Sequence, residues 1–223
     1  MTTARLVFDL DGTLVDSIPS LVAAGNVLLA ELGRPGVDLA TGRGFVGHGV
    51  ARLVESLLRQ SGGVPGELDP HVGRFREIYG ADPVTGTVVY PGVREALAAL
   101  AAAGHGLGVC TQKPNPPALD LLRQLGLMPP LTGFTGGDSL AVLKPDPAML
   151  FHTAEQLAGD VTIMVGDSET DAETARRGGV PFLLHTEGYR NAAVAELPHV
   201  AAFADFAELP GLVAAVLGAE ARA

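Results

Sequence analysis

Short apolar runs that alternate with amphipathic helical segments limit the possible folds of a chain more than any single residue does. Here they fill one part of the sequence and avoid another. From about Pro91 onward, helix VREALAALAAAG leads to HGLGVCT (105–111) and helix PPALDLLRQLG to GFTGGD (133–138). Helix PAMLFHTAEQLAG then leads to VTIMVGD (161–167), and helix ETDAETARRGG to VPFLLHT (180–186). Runs this short and this apolar suit strands buried on both faces, and βα alternation predicts a parallel sheet with helices on both sides. One further run of the same kind, ARLVFDL (4–10), stands alone near the N-terminus. Between them the periodicity is helical. Leu21, Gly25, Leu28 and Leu32 make one stripe, and Val50, Leu53, Val54, Leu57 and Leu58 make a second, on a helix from about 48 to 60. Val72, Phe75 and Tyr79 mark a third helix ending near Gly80, and no strand is expected from 16 to 83. The reading is an α/β fold: residues 1–15 and 84–223 form a parallel-sheet core, and 16–83 form an inserted all-helical domain.

Charge and cysteine content narrow the partners and the compartment. A net charge of −10 disfavours nucleic acid, whose phosphates require a basic footprint, and also an anionic membrane surface. The single cysteine, Cys110, forbids an intrachain disulfide and fits a reducing compartment as a small buried hydrophobe. MTTARLVFDL lacks a secretory hydrophobic segment, and ALAALAAA (96–103) is far too short to span a bilayer. The expectation is a soluble cytoplasmic protein, monomer or homodimer, acting on a small molecule.

Chemistry is expected at the strand ends, since ligands in open α/β sheets bind beyond the carboxyl edge. Strand 4–10 ends in Asp9, strand 105–111 in Thr111 and strand 161–167 in Asp167. Asp11 follows Asp9 by two residues in FDLDGTLVDS, and Lys144 lies in the loop LKPDP. Carboxylates meeting in one crevice need a cation, and an oxygen-only set suits Mg²⁺, which commonly also contacts a phosphate. A hydroxyl and an ammonium would complete a phosphate cradle.

FDLDGTLVDS, Thr111 in VCTQK, Lys144 in LKPDP and VGDSETD (165–171), in that order, resemble the four motifs of the haloacid dehalogenase superfamily. YPGVREAL, GVCTQKP, LLRQLGL, GGDSLAVLKPDP and VGDSETDAETARRGGVP are similar to the bacterial phosphoglycolate phosphatases of that superfamily. The resemblance implies a Rossmann-like core with an inserted helical cap, and hydrolysis of 2-phosphoglycolate with Mg²⁺. It makes Asp9 the nucleophile and a metal ligand. Asp11 becomes the proton donor and acceptor and a ligand through its main-chain carbonyl. Thr111 and Lys144 complete the catalytic set, and Asp167 and Asp171 the metal site. Gly12 allows a sharp turn that brings the loop to the phosphate, and Gln112 stands where relatives often carry Asn. Other small phosphates, such as sugar phosphates or pyrophosphate, and phosphoglucomutase-like chemistry are the alternatives.

Several residues admit a plainer reading. Ser168 and Asp171 also fit a helix capping box, so Asp171 is open between cap and metal shell. Lys113 is as consistent with a surface charge as with a site role. Arg43 and His48, in TGRGFVGHGV, suit either a cap loop that meets a substrate carboxylate or ordinary structure before a helix. Gly42, Gly44 and Gly47 match G-x-G-x-x-G, yet PGVDLAT before them is no buried strand, which argues against a dinucleotide site. A receiver-like phosphoacceptor shares the Asp, Thr and Lys chemistry but is about half this length and has no cap. His71, His105, His152, His185 and His199 show no ligand spacing and are assigned to the scaffold.

Overall fold

A computed structural model describes residues 2–46 and 49–222. The first strand, β1 (Ala4–Phe8), enters the middle of a six-stranded sheet. Its neighbours are β4 (Gly106–Cys110) and β6 (Val161–Gly166), followed outward by β5 (Gly133–Thr135) on one side. On the other side come β7 (Phe182–His185) and β8 (Ala201–Phe203), in the order β5-β4-β1-β6-β7-β8, and each of these pairings is parallel. Leu6, Val7 and Phe8 are fully buried, as expected of a strand covered on both faces. Val7 packs with Cys110, Met149, Leu150, Met164, Ala172 and Leu184, beneath α7 (Ala148–Ala154) and α8 (Glu169–Gly178). Side chains alternate along a strand, so Leu6 and Phe8 point to the opposite face. α5 (Val93–Ala102), against β4, packs with α9 (Leu209–Glu220). α6 (Asn115–Gln124) connects β4 to β5.

The chain divides into two compact units, one of residues 1–15 and 89–223, the other of 16–88. Two-residue strands, β2 (Val15–Asp16) and β3 (Val88–Val89), pair where the chain leaves the first unit and returns. Residues 84–88 belong to the helical unit rather than to the core as the sequence reading had them. Thr87 explains this: its hydroxyl bonds the Ser20 hydroxyl at 2.8 Å and donates to Pro83 O at 3.0 Å.

The helical unit holds α1 (Ile18–Glu31), α2 (Leu39–Arg43), α3 (Val50–Gln60) and α4 (Asp69–Ala81). Leu21, Leu28, Leu53, Val54, Leu57, Leu58, Val72, Phe75 and Tyr79 form its buried interior. Gly25 sits in the apolar stripe of α1 because α3 comes close: a Cβ there would stand 2.6 Å from Leu57 Cδ1. The short helix α2 occupies the segment read as a loop, started by Asp38, whose carboxylate accepts the Thr41 N–H at 2.8 Å. Gly42 is therefore preceded by helix and not by a strand, which removes the structural setting of a dinucleotide fingerprint.

Candidate active site

Asp9 directly follows β1, and its N–H still donates to Val165 O at 2.9 Å, so the ladder carries it to the carboxyl edge. Thr111 follows β4 in the same way, its N–H donating to Thr135 O at 3.0 Å, and Asp167 follows β6. Three adjacent parallel strands thus deliver two carboxylates and a hydroxyl to one edge. Gly12 then turns the chain with φ +93°, a conformation that disfavours any side chain. A Cβ there would lie 2.4 Å from Asp167 Oδ2, and a Cβ at Gly188 would lie 2.3 Å from the same oxygen. The Asp167 carboxylate is held between these two backbones. Thr13 donates its hydroxyl to Oδ1 at 2.7 Å, and Tyr189 donates its N–H to Oδ2 at 2.7 Å.

Lys144 reaches in from the loop before α7 with its side chain 3% exposed. Its Nζ donates to Asp9 Oδ1 at 2.8 Å and to Asp171 Oδ1 at 2.6 Å. Asp171 Oδ2 accepts from Ser168 Oγ at 2.6 Å and from Ser168 N at 3.1 Å, while Ser168 Oγ accepts the Asp171 N–H. The capping box is therefore present, and the same carboxylate also faces the site. Asp9, Asp167 and Asp171 each offer an oxygen within 4.8 Å of one another, all three residues buried.

Burial sets the electrostatics. It pushes the Asp9 carboxyl up, the Lys144 ammonium pulls it back, and the Asp171 and Asp11 charges raise it again, to about 7. Asp167 is raised well above the carboxylate range, first by burial and then by Asp171 and Asp9, against the bonds from Tyr189 and Thr13. Burial opposes the charge on Lys144, but Asp171 and Asp9 outweigh it and hold the ammonium charged. Burial also pushes the Cys110 thiol up to about 12, so it packs as an inert hydrophobe.

Asp9, Asp11, Gly12, Thr111, Gln112, Lys144, Asp167 and Asp171 all belong to the sheet-bearing unit. Arg43 is exposed at the end of α2 in the helical unit, and His48 lies outside the described residues. Sequence leaves Lys113 open between a surface charge and a site role, and it does not place Thr13, Gly188, Tyr189 or His185 in the site. Lys113, 7% exposed, donates Nζ to Asp11 Oδ1 and Oδ2 at 2.7 and 2.9 Å. Thr13 was signalled by its place in DGT beside the turn, and Gly188 and Tyr189 by the rule already applied to the other strand ends, since they follow β7. His185, the last residue of β7, is also more than scaffold: its Nδ1–H donates to Gly12 O at 3.0 Å. Tyr90, Phe203 and Phe206 pack around that ring.

The model of the haloacid dehalogenase-like hydrolases matches residues 4–179. A phosphoglycolate phosphatase of Cereibacter sphaeroides is 46% identical over 217 residues, covering 95% of this chain and 98% of the relative. One of Rhodospirillum rubrum is 44% identical, covering 92% and 88%. The crystal structure of a predicted phosphoglycolate phosphatase from Haemophilus somnus superposes with a TM-score of 0.86 at 27% identity, covering 95% of this chain and 98% of that one. The chain belongs to the haloacid dehalogenase-like hydrolases.

Proposed function

We propose that this enzyme, a phosphoric monoester hydrolase, converts 2-phosphoglycolate to glycolate and phosphate with Mg²⁺, through a phosphoryl group carried on Asp9. The observation that carries this reading is the meeting of Asp9, Asp167 and Asp171 within 4.8 Å, with Lys144 bonded to two of them. The substrate comes from the relatives named above. No helix among the described residues is long and apolar enough to cross a membrane, which is compatible with a cytoplasmic enzyme, monomer or homodimer.

The donor set fits a divalent cation. Four acidic groups (Asp9, Asp11, Asp167, Asp171) face two ammonium groups (Lys113, Lys144), an excess of acid over base that a divalent cation would offset. All the ligands are oxygens, as Mg²⁺ prefers. Asp9, the Asp11 main-chain carbonyl and Asp167 would hold the ion, with Asp171 beside them. When bound it neutralises charge on the phosphate and on the carboxylates around it.

The chain's own groups then act in two steps. In the first, an Asp9 carboxylate oxygen bonds to phosphorus, the bond from phosphorus to the ester oxygen breaks, and Asp11 gives that oxygen a proton. In the second, Asp11 takes a proton from water as the water oxygen bonds to phosphorus and the bond to Asp9 breaks. Lys144 keeps Asp9 oriented and balances the transferring phosphoryl. The Thr111 hydroxyl accepts the Lys113 N–H at 3.1 Å, which leaves its own proton to give to a phosphate oxygen. The loop through Gly12 and the backbone at Gln112 bind the same group. Arg43, in the helical unit, is the proposed partner of the substrate carboxylate.

Phosphate release measured over about 50 phosphorylated metabolites, with Mg²⁺ and with excess chelator, tests this, because specificity is a ratio of kcat/KM values. The expected result is 2-phosphoglycolate ranking first and activity lost in chelator. A sugar phosphate or pyrophosphate ranking first would move the substrate assignment, and conversion of glucose 1-phosphate to glucose 6-phosphate would make the enzyme a mutase. Full activity in chelator would overturn the metal assignment.

A further inference from the structure

Lys113 and Asp11 are 102 residues apart in sequence, yet both carboxylate oxygens of Asp11 accept from one ammonium, at 2.7 and 2.9 Å. The lysine side chain is 5% exposed and the aspartate 17%. A long side chain on a surface loop gains little from one ion pair and loses rotamer freedom in making it. This lysine is instead buried and pinned at its backbone. Its N–H donates to Thr111 Oγ1 at 3.1 Å, and its carbonyl accepts the Gly137 N–H at 2.9 Å. Gly137 is pressed against the same turn, where a Cβ would stand 2.1 Å from Gln112 O. One residue beyond Lys113's neighbour Pro114, the Asn115 N–H donates to the Asp138 carboxylate at 2.7 Å. Two loops, after β4 and after β5, thus fix the base of the lysine, and the lysine fixes Asp11.

The need for such a hold follows from the charges nearby. Asp9, Asp167 and Asp171 share one small volume, and Lys144 is bonded to two of them. Asp11 lies just past the strand, on a turn with enough exposure for its side chain to swing toward water and away from the other anions. A rotation of that side chain would carry its carboxyl group away from the ester oxygen, and misplacement of about 1 Å costs on the order of 10²-fold in rate. The geometry points to Lys113 as the positioning residue for Asp11, the residue that keeps the proton donor and acceptor aimed at the leaving group. This inference rests on the proton-transfer role proposed for Asp11, and it assigns Lys113 no contact with the phosphoryl group.

The test measures kcat/KM, which reports the step that breaks the ester bond, for 2-phosphoglycolate and for p-nitrophenyl phosphate, whose leaving group needs little protonation. Four proteins are compared with Mg²⁺ present: wild type, Asp11→Asn, Lys113→Met and the double variant. Asp11→Asn should lower kcat/KM for the alkyl ester by about 10²- to 10⁴-fold and for the aryl ester far less. Lys113→Met should show the same selectivity at smaller size, about 10- to 100-fold on the alkyl ester and within about threefold on the aryl ester. Added to Asp11→Asn, it should cost about twofold or less, because residues acting through one group are not additive. Lys113→Arg should recover part of the alkyl ester activity. An equal fall on both esters, or a loss that multiplies with Asp11→Asn, overturns the inference and makes Lys113 a phosphate ligand or a fold element. If Asp11→Asn itself fails to discriminate the esters, the proton-transfer role falls, and the Lys113 inference falls with it. Should the methionine protein not fold, Lys113→Gln, which keeps a donor, is put through the same comparison and decides it.

Discussion

The two units differ in whether they bury charge, though both carry ion pairs on the surface. In the sheet-bearing unit Asp9, Lys113, Lys144, Asp167, Asp171 and His185 are all buried. In the helical unit the ion pairs that Glu55 makes with Arg52 and Arg59, and Arg74 with Glu31 and Glu77, lie on the surface, and among the described residues the buried polar groups are small hydroxyls, Ser17, Ser20 and Thr87. Burying charge costs several kcal/mol per ion unless partners and hydrogen bonds repay it, so a fold does not carry such a cluster without a use. Surface pairs cost little and do little. On the proposed function, bond-breaking chemistry falls to the first unit. That leaves the second the tasks that a helical bundle with a charged exterior can perform, recognition above all.

Four substitutions break or sharpen that contrast. Asp9→Asn removes the proposed nucleophile and metal ligand while keeping the shape; turnover should fall by about 10⁴-fold or more, the loss expected of an essential catalytic carboxylate. Stopped assays that trap phosphoryl on the wild-type protein should trap none on the variant, and residual turnover within tenfold of wild type would return Asp9 to a purely structural role. Lys144→Met leaves two buried carboxylates without their shared ammonium, and chemical denaturation should register a loss of about 3–5 kcal/mol. A loss below about 1 kcal/mol would mean that the cluster is wetter than the burial of Lys144 implies.

Arg43→Ala probes the helical unit directly. If its guanidinium meets the substrate carboxylate, kcat/KM for 2-phosphoglycolate should drop about 10- to 100-fold, the worth of a hydrogen bond between charged groups. An uncharged alkyl phosphate should be nearly unaffected, and an equal drop on both would assign Arg43 to the local structure of α2. The smallest effect belongs to Arg74→Ala. Its partner Glu31 is 40% exposed and its own side chain 47%, so the thermal midpoint should not move measurably. A clear shift would show surface pairing to matter in this unit and would blur the contrast.

Legibility from sequence followed the same divide. β1, β4 and β6 were readable because each is a continuous apolar run, and Asp9, Thr111 and Asp167 because each directly ends such a run. Lys144 followed from the motif that surrounds it. Lys113 stayed open between surface and site, because nothing local tells that a lysine near Thr111 bonds an aspartate 102 residues away. The place of Tyr189 past β7 was a signal, but its partner was not readable, because it meets Asp167 through its backbone N–H, a group every residue but proline possesses. β8 and α9 went unread as the alternation weakens beyond residue 186, and β2 and β3 are too short, at two residues each, to carry a period. In the helical unit the apolar stripes gave the three long helices, while α2, five residues long, is started by the Asp38 cap and offers no stripe to read.

The central position of β1 has a consequence for biosynthesis. The strand that leads into Asp9 is made before both of its neighbours, which lie at Gly106–Cys110 and Val161–Gly166. At about 5–20 residues per second, β1 waits on the order of ten seconds for its second edge to be covered. During that interval Leu6, Val7 and Phe8 form an uncovered apolar segment with both hydrogen-bonding edges open, a template for pairing with another nascent chain. Chains that terminate before Val161 keep that segment exposed for good. The segment that aims the nucleophile is thus also the one most in need of shelter by a chaperone while the rest is being made.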